Sequence, residues 1–103
     1  MEKIFKSIEE LLDFDFSQLT PQSSNYLLII PPNGETLPKV RKEHEPNRWK
    51  IVERHRDSAP GIVFEITPRW MTITIHRKTG FTRRKDFPIL GKNPKDVILD
   101  IFE

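Results

Sequence analysis

The residues best placed to do chemistry are a run of cations. Between Arg77 and Lys85 five of nine residues are basic, Arg77, Lys78, Arg83, Arg84 and Lys85, and Phe81 lies among them. Clustered Lys and Arg neutralise phosphates, and an exposed aromatic ring or Arg plane gives an unpaired base a surface to stack on. Lys39, Arg41, Lys42, Arg54, Arg56 and Arg69 extend the patch if their segments lie side by side. The competing reading is a solvated sheet edge, kept from aggregating by charge.

Two tryptophans each follow an arginine, Trp49 after Arg48 and Trp70 after Arg69. An exposed Trp beside Arg suits a binding surface, and a buried Trp is core. Trp70 is the better surface candidate, because its segment already has an apolar face in Met71, Ile73 and Ile75. The sequence therefore nominates Arg77, Lys78, Phe81, Arg83, Arg84, Lys85, Trp70 and Arg69 as binding residues.

The three histidines offer less. His44 lies between Glu43 and Glu45, His55 is two residues before Asp57, and His76 shares a strand face with Thr72 and Thr74. A catalytic His needs an oriented partner, and a metal needs several converging ligands. Nothing local fixes such convergence. Glu53, Asp57 and Glu65 form a cation site only if strands bring them together, and with so many Arg and Lys nearby ion pairing is the simpler fate. His55-Arg56-Asp57 matches a fragment of a kinase catalytic loop, but 103 residues without a glycine-rich loop exclude a kinase. No Walker A loop, GxGxxG, GxSxG or HExxH is present, nor any zinc-finger spacing, aromatic RNA-recognition motif or GXXG loop. The expectation is a non-enzymatic chain with no cofactor, no metal and no catalytic residues.

The elements that must position these residues follow from charge and periodicity. A net charge of +2 hides an uneven distribution: residues 1–38 carry two Lys against six acids, whereas residues 39–86 carry thirteen Lys and Arg against six acids, and residues 92–103 are slightly acidic. A basic middle is thus flanked by acidic ends. There is no cysteine, so disulfides and thiolate metal sites are excluded, and a cytoplasmic setting is expected. Met1-Glu2-Lys3 leads into an acidic amphipathic stretch rather than an apolar signal core, and the longest apolar run, Tyr26 to Ile30, is far shorter than a membrane span.

Ile4, Phe5, Ile8, Leu11 and Leu12 fall on one helical face. If Ser7 and Glu10 form a capping box, Ile4 and Phe5 instead belong to an extended lead-in. Residues 25–31 read as a buried strand before a turn at Pro31-Pro32-Asn33-Gly34. Leu37 to Arg41 is expected as a short edge strand, Arg48 to Arg56 as another strand, and Ile62 to Thr67 as a third. Arg69 to Arg77 alternates most clearly. Lys78-Thr79-Gly80 fits a type I turn closed by a glycine bulge. That register pairs Arg77 with Phe81 and sets Arg83 and Lys85 opposite Ile75 and Ile73. Charged residues would then share the apolar face, which calls for another register, an edge strand or a mobile arm. A final helix is marked by Asn93 as cap, Pro94 at its first position and a stripe of Val97, Ile98, Ile101 and Phe102.

These signals predict one α+β domain over residues 1–103, a mainly antiparallel meander of four to six strands with N- and C-terminal helices on one face. The open face and edges make a homodimer an expectation. The partner is expected to be nucleic acid, met through the basic hairpin; the alternative is a protein-interaction module, an inhibitor, regulator or accessory protein, whose cations meet an acidic protein surface. No membrane is implied.

Overall fold

The computed structural model describes residues 1–33, 35–53 and 59–103. In chain order the elements are β1 (Glu2–Phe5), α1 (Ile8–Asp13), β2 (Asn25–Ile29), β3 (Lys50–Val52), β4 (Gly61–Ile66), β5 (Trp70–His76), β6 (Thr82–Pro88) and α2 (Pro94–Ile101), with short 3-10 turns at Phe16–Gln18, Lys42–His44 and Pro46–Arg48. Six strands form one sheet in the order β1-β2-β4-β5-β6-β3.

The α+β class matches the expectation, but the antiparallel meander does not. β1 runs parallel to β2, pairing Ile4 with Leu28 and Phe5 with Ile29, so the sheet is mixed. Its cause is the local choice left open at the N-terminus. The Ser7 side chain accepts a hydrogen bond from the Glu10 amide, which starts α1 at Ile8, and the Lys6 amide donates to the Glu10 carboxylate. Capping there leaves Ile4 and Phe5 in an extended segment that needs a partner, and β2 supplies it. β3 also departs from a meander: it precedes β4 in the chain yet pairs with β6 at the far edge.

The expected return strand at Leu37 to Arg41 is not formed. Only Val40 makes an isolated bridge, to Phe102, and the Arg41 amide donates to the Ile101 carbonyl, so this segment pins the end of α2 instead of joining the sheet. The strand expected over Arg48 to Arg56 is Lys50–Val52; Arg54, His55, Arg56 and Asp57 lie outside the described residues, as does Gly34 of the turn expected after residues 25–31.

At the centre, alternation is strict. Ile62, Phe64 and Ile66 on β4 and Met71, Ile73 and Ile75 on β5 are buried, and with Leu27 and Ile29 they share one core cluster with Ile8, Leu11, Ile98 and Ile101 of the helices. Phe5 packs edge-to-face on Phe14, and Phe64 on Phe102. Gly61 permits the close pairing of β2 and β4, since a Cβ there would stand 2.9 Å from the Ile29 carbonyl oxygen. The α2 cap is as expected, with the Asn93 side chain accepting from the Lys95 amide and Pro94 next. Among the described residues no helix is long and apolar enough to cross a membrane.

Candidate functional site

The β5–β6 hairpin adopts the register read from its loop. Ile75 pairs with Arg83, Ile73 with Lys85 and Thr74 with Arg84, and Gly80 closes the loop at φ +91°, a left-handed conformation that glycine adopts without strain. Arg83 and Lys85 do therefore share the face that holds the core. They are tolerated because β6 lies beside an edge strand of only three residues, and because each cation rests on a ring two residues away in the chain. The Arg83 guanidinium lies 5.4 Å from the Phe81 centroid and the Lys85 ammonium 5.2 Å from that of Phe87. Their aliphatic stems cover apolar surface while the charges reach water. Arg83 also donates to the carbonyls of Asn47 at 3.3 Å and Trp49 at 3.5 Å, which ties β6 to the segment leading into β3.

Arg84, between them, points to the opposite face, where β3 sets Lys50 beside it. The sheet thus splits the basic cluster: Phe81, Arg83 and Lys85 on one side, Arg84 with Lys50 on the other. Among the described residues no carboxylate forms an ion pair with Arg83, Arg84 or Lys85; the recorded pairs are Lys39–Glu103, His44–Asp100 and Arg48–Glu45. Phe81 is 62% exposed.

Arg77 and Lys78 stand at the hairpin end. Arg69 and Trp70 stand at the other end of β5, roughly 26 Å away at the usual rise of a strand. The nominated residues are therefore not one patch. Lys39 and Arg41 lie beside α2 and not on the hairpin: Lys39 reaches Glu103, and Arg41 donates to the Leu99 carbonyl.

The two tryptophans part company. Trp49 is 4% exposed, packed edge-to-face on Phe87 at 5.6 Å, and its indole N–H has no hydrogen-bond partner among the described residues. Trp70 is half exposed, on the sheet face opposite the main core. A tight turn fixes its backbone: the Thr67 hydroxyl accepts from the amides of Arg69 and Trp70, and the Thr67 amide donates to the Trp70 carbonyl at 2.8 Å.

Trp70 forms one wall of a shallow cup of about 280 Å³ that the sequence did not single out, completed by Glu65, Thr67, Thr72, Arg84 and Asp86. Glu65, Thr72 and Asp86 are direct cross-strand neighbours on β4, β5 and β6. The Thr72 hydroxyl donates to Asp86 Oδ1 at 2.7 Å, and the Tyr26 hydroxyl donates to Glu65 Oε1 at 3.2 Å. That bond, and the charge of Glu65, hold the Tyr26 phenol above its ordinary pKa.

The remaining polar candidates stay apart. Glu53 follows β3 at the sheet edge, with β5 and β6 between it and Glu65, and Asp57 is outside the described residues. His44 Nε2 lies 3.2 Å from Asp100 Oδ2, a pair 56 residues apart in the chain that no local signal announces. The Thr82 hydroxyl lies 3.5 Å from His76 Nδ1. Among the described residues no group of three or more His, Asp or Glu is placed to hold a metal. Compared with family models, curated proteins and solved structures, the chain shows no significant match.

Proposed function

We propose that this chain is a non-enzymatic, cytoplasmic domain that binds nucleic acid through the cations of β6 and the adjoining edge, with no cofactor. One observation carries the reading: Arg83, Arg84 and Lys85 occupy consecutive positions of a strand next to a short edge, and none of them forms an ion pair with a carboxylate among the described residues. Because successive side chains of a strand leave on opposite faces, such a run presents charge on both sides of the sheet rim. A phosphate backbone following the rim meets Arg83 and Lys85 on one side and Arg84 with Lys50 on the other, and Phe81 adds an exposed ring for an unpaired base. With both helices over the Phe64 face, as the Phe5–Phe14 and Phe64–Phe102 contacts support, their acidic turns stand away from the side of the rim that carries Arg84 and Lys50.

A second reading has its own observation. At the other edge, Ile4 is 58% exposed, and on the same face Tyr26 is exposed and Leu28 and Val63 are half-buried, an apolar row of the kind that protein partners or a second copy cover. Titration of single- and double-stranded DNA and RNA at low salt separates the two. Binding that is weakened by Arg84→Ala with Lys85→Ala, and left intact by Ile4→Ser, is the expected result. No binding to any nucleic acid at low salt would refute the first reading, and a defined complex lost in Ile4→Ser would favour the second.

A further inference from the structure

We infer that the cup beside Trp70 is a recognition site for an unpaired guanine base, so that the preferred ligand is a single-stranded, guanine-containing nucleic acid. The inference rests on the nucleic-acid reading above and deepens it, because Arg84 belongs both to the β6 run and to the cup.

The lining is unlike a general phosphate-binding surface. It holds one aromatic wall, one cation and two carboxylates within about 280 Å³. The indole of Trp70 is half exposed and stands on a backbone held by the Thr67 turn, so it offers an aromatic surface on which a base stacks. The carboxylates come from neighbouring positions on β4 and β6, on either side of Thr72. Each is oriented by one hydroxyl: Thr72 donates to Asp86 Oδ1, and Tyr26 to Glu65 Oε1. Asp86 Oδ2 and Glu65 Oε2 have no hydrogen-bond partner among the described residues. An ionised carboxylate only accepts, so the matching ligand edge must donate.

That requirement selects among the bases. Guanine presents two adjacent donors on its pairing edge, the ring N1–H and the exocyclic amino group, which match one carboxylate; uracil presents a single N–H between two carbonyls, and those carbonyls face repulsion from the acids. Adenine and cytosine each offer one amino group beside a ring acceptor. The edge is accessible only in an unpaired base, which fixes the ligand as single-stranded. Arg84, one step along the same face from Asp86, is placed to take the attached phosphate. The same Arg84 disfavours a bare organic cation, the other class of ligand that an indole and two carboxylates attract.

The test uses short oligouridines with one central guanine, adenine or cytosine, and an all-uridine control, followed by tryptophan fluorescence and by an independent binding assay. The guanine oligomer is expected to bind about tenfold tighter than the control, with quenching that disappears in Trp70→Leu. Asp86→Asn, which replaces an acceptor with a donor, is expected to erase the guanine preference and leave uridine binding in place. Equal affinity for all four oligomers, or a preference that survives Asp86→Asn, would overturn the inference and leave the nucleic-acid reading standing. Failure of every oligomer to bind at low salt would overturn both. Quenching by tetramethylammonium in place of the guanine oligomer would assign the cup to an organic cation.

Discussion

β4 and β6 flank β5, both pair with it antiparallel, and both follow the same pleat. Along β4 every second residue, Ile62, Phe64 and Ile66, is buried; along β6 the positions of the same face hold Arg83 and Lys85 until Phe87 returns to the core. The difference lies in what covers the strand. The centre of the sheet carries the shared core, whereas β6 has beyond it only the three residues of β3. A strand with a neighbour on each side and cover above must be apolar on that face, and a strand near an uncovered rim is free to carry charge there. Core positions therefore hold the fold together, and the rim and open face are available for a ligand.

Substitution on the two strands should separate these roles most widely. Phe64→Ala removes a fully buried ring and is expected to cost about 3–5 kcal/mol. Lys85→Ala, on the same sheet face, should stay within about 0.5 kcal/mol. Urea denaturation measures both, and comparable losses would break the distinction between core and rim.

A smaller contrast divides the three cations. Arg83 reaches two backbone carbonyls and packs on Phe81, so Arg83→Ala should destabilise by about 1 kcal/mol, the scale of modest hydrogen bonds at these distances. Arg84→Ala has no such bonds to lose and should leave the denaturation midpoint in place. If the two variants unfold alike, Arg83 does not anchor the segment before β3.

The centre of the fold was readable because its signals are local. Ile62, Phe64 and Ile66, then Met71, Ile73 and Ile75, alternate within their own segments, and Ser7 and Asn93 cap helices within three residues of themselves. Lys78-Thr79-Gly80 suggested the hairpin register that forms, but the awkward placement of Arg83 and Lys85 left another register or a mobile arm open until the pairing of β5 with β6 settled it. What was missed depends on distant partners. Nothing in Glu2–Phe5 names β2 as its parallel neighbour, and nothing in Lys50–Val52 points past β4 and β5 to β6. Leu37 to Arg41 looks like a strand, yet Val40 and Arg41 are claimed by α2. The cup eluded the sequence for the same reason. Glu65, Thr72 and Asp86 meet only once two registers are set, and Trp70 joins them through a turn.

The smallest expected effect concerns that face. Tyr26 is the sole tyrosine, so phenolate absorbance reports it alone. Its neutral hydroxyl donates to Glu65, which raises its folded pKa. The contact therefore favours the fold below the ordinary tyrosine pKa and fades as pH climbs through the folded one. Glu65→Ala should bring the phenolate midpoint down toward the ordinary value of 10.0. An unchanged midpoint would mean that Glu65 is not held by Tyr26.

The most direct test of the central claim is the salt dependence of nucleic-acid binding. If phosphates meet the β6 cations, log affinity falls linearly and steeply with log salt, and Arg84→Ala with Lys85→Ala lowers that slope by about one for each cation removed while the fold stays intact. Affinity that is indifferent to salt, or a slope unchanged in the double variant, would contradict the account.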